Sequence, residues 1–308
     1  MRLHITFIRN KKAHIMTSSI RGSRRAAKRN LIIVLVAVLV VVAAVIGTNI
    51  VRTASAAKNT NRVVTVGITG ESQKPIWDAV QAELDSQHAG ITIVTKAFRD
   101  GAILNQVVSD GEVDLNAFQH YAYFNDEKAK NNYQLTPIAD TYICELNLYS
   151  DKYKSLKDFK PGDRIAIPED ATNFGRALKV LDSAGLIRLK DRTKANPGLE
   201  DIADNPSGIK ITPNDAATIL NLLPDYAAGI TNDNYVIDAG RELDSALYRP
   251  KISLTDQAFK PYINILVANT AKKDDPAYAK VIKAYHTKRV AEVIKTNFKG
   301  AVLPAFTY

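Results

Sequence analysis

RVVTVGITGESQKPIWDAVQAELDSQHAGITIVTKAF, residues 62–98, decides the fold class. RVVTVGIT (62–69) is a β-branched, apolar run of strand length. PIWDAVQAELDSQ (75–87) spaces its apolar residues at helical intervals and puts Pro75 in the first turn, where a missing N–H costs nothing. ITIVTKAF (91–98) is a second strand, so the order strand, helix, strand implies parallel strands in an α/β sheet. The pattern continues with AILNQVVSDG (102–111), a short helix closed by Gly111, and EVDLNAF (112–118), a third strand.

A second unit follows LYSDKYKSLKDFKPGDR, whose Pro161-Gly162 marks a turn. RIAIP (164–168) is a strand, GRALKVLDSAGLIRL (175–189) a helix, IKITP (209–213) a strand, DAATILNLLP (215–224) a helix and AAGI (227–230) a buried strand. Residues 241–260 are weakly patterned. PYINILVAN (261–269) is a strand, and DPAYAKVIKAYHTKRVAEVIKTNF (275–298) reads as one long amphipathic helix with its lysines on a solvated face.

The chain has 308 residues, 46% of them apolar, enough for one large or two medium domains with a sizeable core. Its net charge of +9 is local: 12 of the 41 Lys and Arg, and no Asp or Glu, fall in residues 1–62. The remainder holds 29 basic against 32 acidic residues, a net of −3, which removes the electrostatic case for nucleic acid. Within the leader, a basic region (1–30) precedes LIIVLVAVLVVVAAVIGTNIV (31–51), which is uncharged and long enough to cross a bilayer with its basic flank in the cytoplasm. That run serves either as a retained transmembrane anchor or as a signal removed at Ala54-Ser55-Ala56, and Met16 is an alternative start. Residues 52–62 read as a tether, and 63–308 is placed at the extracellular face of the cell membrane, or secreted if cleavage occurs.

The single cysteine, Cys144, excludes an internal disulfide and any cysteine-cluster metal site. It reads as a small buried hydrophobe in a strand, with a thiol paired to His120 as the sharper alternative. The five histidines show no paired ligand spacing, and no nucleotide loop, zincin motif or nucleophile elbow is present, so neither metal, cofactor nor catalysis is expected.

In open α/β sheets ligands sit beyond the carboxyl ends of the strands. Three such ends are unusual. DLNAFQHYAYF (114–124) sets His120 among Phe118, Tyr121, Tyr123 and Phe124, either as walls of a pocket for a small amphipathic ligand or as a satisfied histidine in an aromatic core. PEDATNFGRAL (168–178) offers Thr172 or Asn173 as a helix cap and places Arg176 in the first turn, where the dipole disfavours a cation. A ligand carboxylate would offset that, and so would a surface ion pair with Glu169 or Asp170. ITNDNYVIDAG (230–240) supplies Asn232 and Tyr235, as head-group ligands or as turn formers.

In their order, VTVGIT, DLNAFQHYAYF, IPEDATNFGRALKVLDSAGLIRLKD, NPSGIKI, ITNDNY, PYINILV and FKGAVLPAF resemble the NlpA/MetQ family, the substrate-binding lipoproteins of methionine ABC importers, over roughly 63–306. The resemblance implies a two-lobed periplasmic-binding-protein fold (type II-like), each lobe α/β, with ligand in the inter-lobe cleft. By composition lobe 1 takes 63–148 and 257–308, and lobe 2 takes 149–256. It further implies that the chain is no enzyme but the solute receptor of an ABC permease and its ATPase subunits, binding L-methionine, a related amino acid or a methionine-containing dipeptide. Carried onto this sequence, Phe118, His120 and Tyr123 would surround the ligand side chain, joined by Tyr121, Arg176 would pair with its carboxylate, and Asn232 would bond its head group with Tyr235 nearby. Asp114 or Glu145 would then face its ammonium, Glu145 having solvent as the alternative.

Three departures stand out. The family's lipobox cysteine after the leader is missing, so a transmembrane anchor or secretion must replace the lipid. TYICE (141–145) stands where the family often has T-F-V-Y-P, introducing Cys144 and Glu145, and Ser72-Gln73 stands where it often has Pro-His.

Overall fold

The computed structural model describes residues 61–99 and 101–308. The basic region, the apolar run 31–51 and nearly all of the tether lie outside the described residues. Among the described residues no helix is long and apolar enough to cross a membrane.

The opening segment forms β1 (Arg62–Thr69), α1 (Lys74–Ser86) and β2 (Ile91–Phe98), with β1 and β2 parallel from Arg62↔Ile91 to Thr69↔Phe98. It continues through α2 (Leu104–Ser109), β3 (Leu115–His120), α3 (Tyr121–Asn131) and β4 (Leu135–Cys144). The chain then passes into β5 (Leu146–Tyr149), β6 (Arg164–Pro168) and α4 (Ala171–Ser183). A small ribbon of β7 (Arg188–Leu189) and β8 (Ile202–Asp204) precedes β9 (Lys210–Asn214), α5 (Ile219–Leu222), β10 (Ala228–Asn232) and α6 (Asp233–Asp238). Finally come β11 (Ile263–Asn269), α7 (Pro276–Tyr285), α8 (Lys288–Asn297) and β12 (Val302–Pro304).

These strands make a six-stranded sheet, β12-β4-β11-β3-β1-β2, and a four-stranded sheet, β5-β10-β6-β9. Val64, Val66 and Ile68 of β1, alternate residues on one face, are fully buried, and towards the strand's end Gly67 and Thr69 are buried on the other, as befits an inner strand covered on both faces. Neither sheet is wholly parallel, contrary to the expectation from strand–helix alternation. β11 runs antiparallel to both β3 and β4, and β5 runs antiparallel to β10. The cause is the path of the chain: β4 leaves the first sheet and becomes β5 of the second with only Glu145 between them. The chain returns through a bridge of Tyr248 to Leu148 and re-enters the first sheet as β11.

Helix ends also differ from expectation for local reasons. α4 begins four residues before the anticipated Gly175, because Asp170, not Thr172 or Asn173, is its cap and accepts from the Asn173 N–H. The long C-terminal helix is two helices, since Thr287 caps α8 by accepting from the Val290 N–H. The break lets two short amphipathic helices each press a stripe onto the sheet: Tyr278, Val281 and Tyr285 from α7, and Val290, Ala291 and Ile294 from α8. α5 is a single turn, shorter than the apolar spacing of 215–224 indicated.

Trp77 of α1 is 2% exposed and packs against Tyr285 at 5.5 Å between ring centroids, tying α1 to α7 over the first sheet. Replacing it leaves a ring-sized void that α1 and α7 cannot close. Trp77→Ala is therefore expected to cost about 3–5 kcal/mol of stability. Urea unfolding followed by circular dichroism measures this, and a loss below about 1 kcal/mol would show that the contact contributes little.

Candidate functional site

The carboxyl ends of β1, β3, β6, β9 and β10 all face one cavity of about 290 Å³. Thr69 and His120 end β1 and β3, and Asn264 near the start of antiparallel β11 and Cys144 at the end of β4 lie at the same rim. From the second sheet come Glu169 and Asp170 after β6, Asp215 and Ala216 after β9, and Asn232 through Tyr235 after β10.

Phe118, His120, Tyr123, Asn232 and Tyr235 line this cavity. Phe118 and Tyr123 meet edge to face at 5.8 Å, and His120 meets Tyr262 the same way at 5.6 Å, so the aromatic wall is rigid. His120 is an acceptor at Nδ1, taking the Tyr123 N–H at 3.1 Å as the cap of α3. Its proton therefore sits on Nε2, which donates to Asn173 Oδ1 at 3.1 Å. Burial and the neighbouring Arg176 cation push its pKa down to about 3, so the ring is neutral at physiological pH.

Arg176, Tyr121 and Glu145 are set one layer back. Arg176 is buried on α4 with Nη1 donating to Asn173 Oδ1 (2.9 Å), Nη2 donating to the Cys144 carbonyl (2.9 Å), and its guanidinium 4.7 Å from the Tyr262 ring centroid. It pairs with neither Glu169 nor Asp170: among the described residues this buried cation forms no ion pair. Asn173 and Cys144, its two hydrogen-bond partners, both line the cavity. Tyr121 donates its hydroxyl to Asp140 (2.7 Å). Glu145 faces neither ligand space nor open solvent but pairs with Arg249 at 3.2 Å, linking the outgoing and returning chain crossings.

Asp114 is remote from the cavity. It precedes β3, at the opposite end from His120, and accepts from the Thr65 N–H (2.9 Å), the Thr65 hydroxyl, Arg62 and Tyr278. Burial alone would raise its pKa, but the Thr65 hydrogen bonds and the Arg62 charge leave it lowered. Cys144 ends β4, as a buried strand residue should. Burial, with Asp233 nearby, pushes its thiol up to about 11, and both His120 nitrogens are committed elsewhere, so no thiolate–imidazole couple exists.

Several residues take roles that the sequence reading did not assign them. Asn173 is the central one: its Oδ1 accepts from His120 at the end of β3 and from Arg176 of α4, while its Nδ2 donates to Asp170 (3.0 Å). Its place three residues before Arg176, one helical turn away, was the available signal. Behind Phe118, buried Asn105, Asn116 and Gln119 form a closed amide network, with Gln119 Nε2 donating to Asn116 Oδ1 at 3.0 Å. Across the cavity mouth, Asp238 of α6 accepts from the Glu71 and Ser72 N–H groups (3.1 and 2.8 Å), and Asn234 donates to Thr69 (3.2 Å). Gly70, at φ +63°, brings that backbone close; a Cβ there would strike the Asp238 carboxylate. Of the Ser72-Gln73 pair, Ser72 belongs to this clasp and Gln73 lines the cavity.

A family model described as NlpA lipoprotein matches residues 64–306. The probable D-methionine-binding lipoprotein MetQ of Haemophilus influenzae is 32% identical over 243 residues, 78% of this chain and 86% of that one. Among solved structures, the substrate binding protein of a methionine transporter from Streptococcus pneumoniae is 35% identical, with a TM-score of 0.72 over 79% of this chain and 95% of that one. A nutrient binding protein from Burkholderia cenocepacia, solved bound to methionine, is 33% identical, with a TM-score of 0.71 over 79% of this chain and 100% of that one. Matched in sequence and in fold across nearly all its described residues, the chain belongs to the NlpA lipoprotein family.

Proposed function

We propose that the chain is the solute-binding component of an ABC importer, that it captures methionine or a close relative outside the cell, and that it hands the ligand to a permease driven by ATPase subunits. The observation that carries this is Arg176, a buried cation that among the described residues has no anion, directly behind a cavity walled by rings and amides. A carboxylate held by a guanidinium is the strongest neutral-making partner available. The cavity, at about 290 Å³, lies at the small end of ligand sites, which favours a single amino acid over a dipeptide.

In this reading Arg176 takes the ligand carboxylate, Asn232 bonds the head group beside Tyr235, and Phe118, Tyr123 and His120 surround the side chain. Tyr121 supports that wall through Asp140. Residues 63–148 and 257–308 supply one lobe and 149–256 the other; the membership of the two sheets supports this division, except that β5 (Leu146–Tyr149) already pairs within the second sheet. The Glu145–Arg249 pair sits at the crossings, where a hinge belongs. Ligand favours the closed form because only then does it touch both sheets. The apolar run 31–51 tethers the protein to the membrane or directs its export. Cys144, the one cysteine, is buried in β4.

Removing one partner of a desolvated charge pair costs roughly 2–5 kcal/mol, so Arg176→Ala is expected to weaken methionine binding more than about tenfold, with Arg176→Lys recovering only part. Calorimetry on the stripped full chain and both variants measures this, and wild-type affinity in Arg176→Ala would remove Arg176 from the site.

His120 yields a second prediction. As pH falls below about 6.5 the unfolded imidazole takes up a proton, whereas the folded one resists to about 3, so the unfolded state is favoured by up to ~1.4 kcal/mol per pH unit. Stability should therefore drop on going from pH 6.5 to 5, and His120→Gln should flatten that decline. Urea titrations at the two pH values decide it, an equal decline in both proteins being the contrary result.

A further inference from the structure

Among the described residues, two buried side-chain oxygens have no hydrogen-bond partner, Asn147 Oδ1 and Asp233 Oδ2. They belong to one pair: Asn147 Nδ2 donates to Asp233 Oδ1 at 3.0 Å. Both residues are 0% exposed. Asn147 lies on β5 opposite Thr231 of β10, and Asp233 opens α6, immediately after Asn232, in the wall of the cavity. A buried acceptor without a donor costs its whole desolvation energy, and Asp233, which lines the cavity while Asn147 holds it without lining the cavity, marks a place where a donor arrives.

Among the described residues no cation fills that place. Arg249 is committed to Glu145, and Arg176 to Asn173 and the Cys144 carbonyl. The other carboxyls around the cavity are already occupied or open to water. Asp170 accepts from the Asn173 N–H and side chain, Asp215 accepts from the Ala217 N–H, and Glu169 is exposed. Asp233 also stands among the groups that would disfavour its ionised form when empty: burial first, then the Glu145 carboxylate, which outweigh Arg249 and Arg176 and raise its pKa well above the usual range. Tyr142, Tyr149 and Cys144, which also sit close, remain neutral.

We propose that Asp233, held in place by Asn147, accepts the N–H groups of the ligand's protonated amine and so selects α-amino acids over their amine-free counterparts. This deepens the reading of the cavity as an amino-acid site and rests on it. The two lacks are opposite in sign: among the described residues Arg176 is a cation without an anion, and Asp233 an acid with one oxygen, Oδ2, still without a donor. A zwitterion supplies both at once, and a monocarboxylate supplies one. Of the acids that the sequence offered for this task, Glu145 is held by Arg249 and Asp114 is at the far end of β3.

The test compares L-methionine with 4-(methylthio)butanoate, the same skeleton without the amine, on the refolded full chain and on Asp233→Asn. The amide conserves shape and keeps a bond to Asn147; Asp233→Ser replaces it if its thermal midpoint shows misfolding. The wild type should prefer methionine by about a hundredfold or more, as sites built around a polar group reject analogues lacking it. In Asp233→Asn methionine should weaken at least about tenfold and the amine-free probe stay within about twofold, collapsing the preference. Wild-type methionine binding with the preference intact in the variant, or with both ligands weakened equally, would overturn the role of Asp233 and leave the receptor reading standing. A wild type that binds neither ligand would overturn the receptor reading and this assignment with it.

Discussion

One strand crossing governs the rest of the molecule. β4 ends at Cys144 and β5 begins at Leu146, so a nearly continuous extended segment belongs to two sheets and allows one residue, Glu145, for the change. Because β5 is antiparallel to β10 while β4 is antiparallel to β11, the strand ends that carry loops meet at the crossing. The cavity follows from that geometry. The carboxyl ends of parallel strands from both sheets open onto it, and residues distant in sequence, such as Thr69 and Asn234 or His120 and Asn173, come within hydrogen-bond distance.

The polar groups around the cavity are arranged so that little is left over. Asn173 Oδ1 holds two donors at once, which fixes the His120 tautomer and parks Arg176 behind the wall. Parking a cation this way, on an amide oxygen, a carbonyl and a tyrosine face, satisfies its donors without neutralising its charge. On the proposed reading, an incoming carboxylate gains a charge interaction in a low-dielectric setting without displacing a carboxylate already paired with Arg176. Glu145 and Arg249 illustrate the alternative, a buried pair that closes on itself and stabilises the crossings.

Much of the fold was legible in local pattern. β1, β2 and β6 were readable to the residue, since their apolar runs end at turn formers. What was not legible depends on partners far along the chain. Nothing near β11 announces that it will pair antiparallel with β3 and β4, and Thr287 breaks a helix whose apolar spacing runs straight through it. At the site, Phe118, His120, Tyr123, Asn232 and Tyr235 stand at strand ends, where position alone draws attention, and all line the cavity. Glu145 and Asp114 show the limit of such reasoning: an acid near a cleft in sequence reveals neither that Arg249 returns to meet it nor that Thr65 already holds it. Asn147 and Asp233 were silent, because a buried amide in an apolar strand and an aspartate in an N-D-N turn are each ordinary until they adjoin.

The central claim is that this cavity receives a free amino acid of methionine's size and charge. The most direct measurement is a calorimetric titration of the full chain with L-methionine, in mild detergent, after unfolding and refolding to remove carried ligand. The account predicts one saturable site of micromolar affinity or better, about −8 kcal/mol. A flat titration, with no displacement of heat by any other small amino acid, would contradict it.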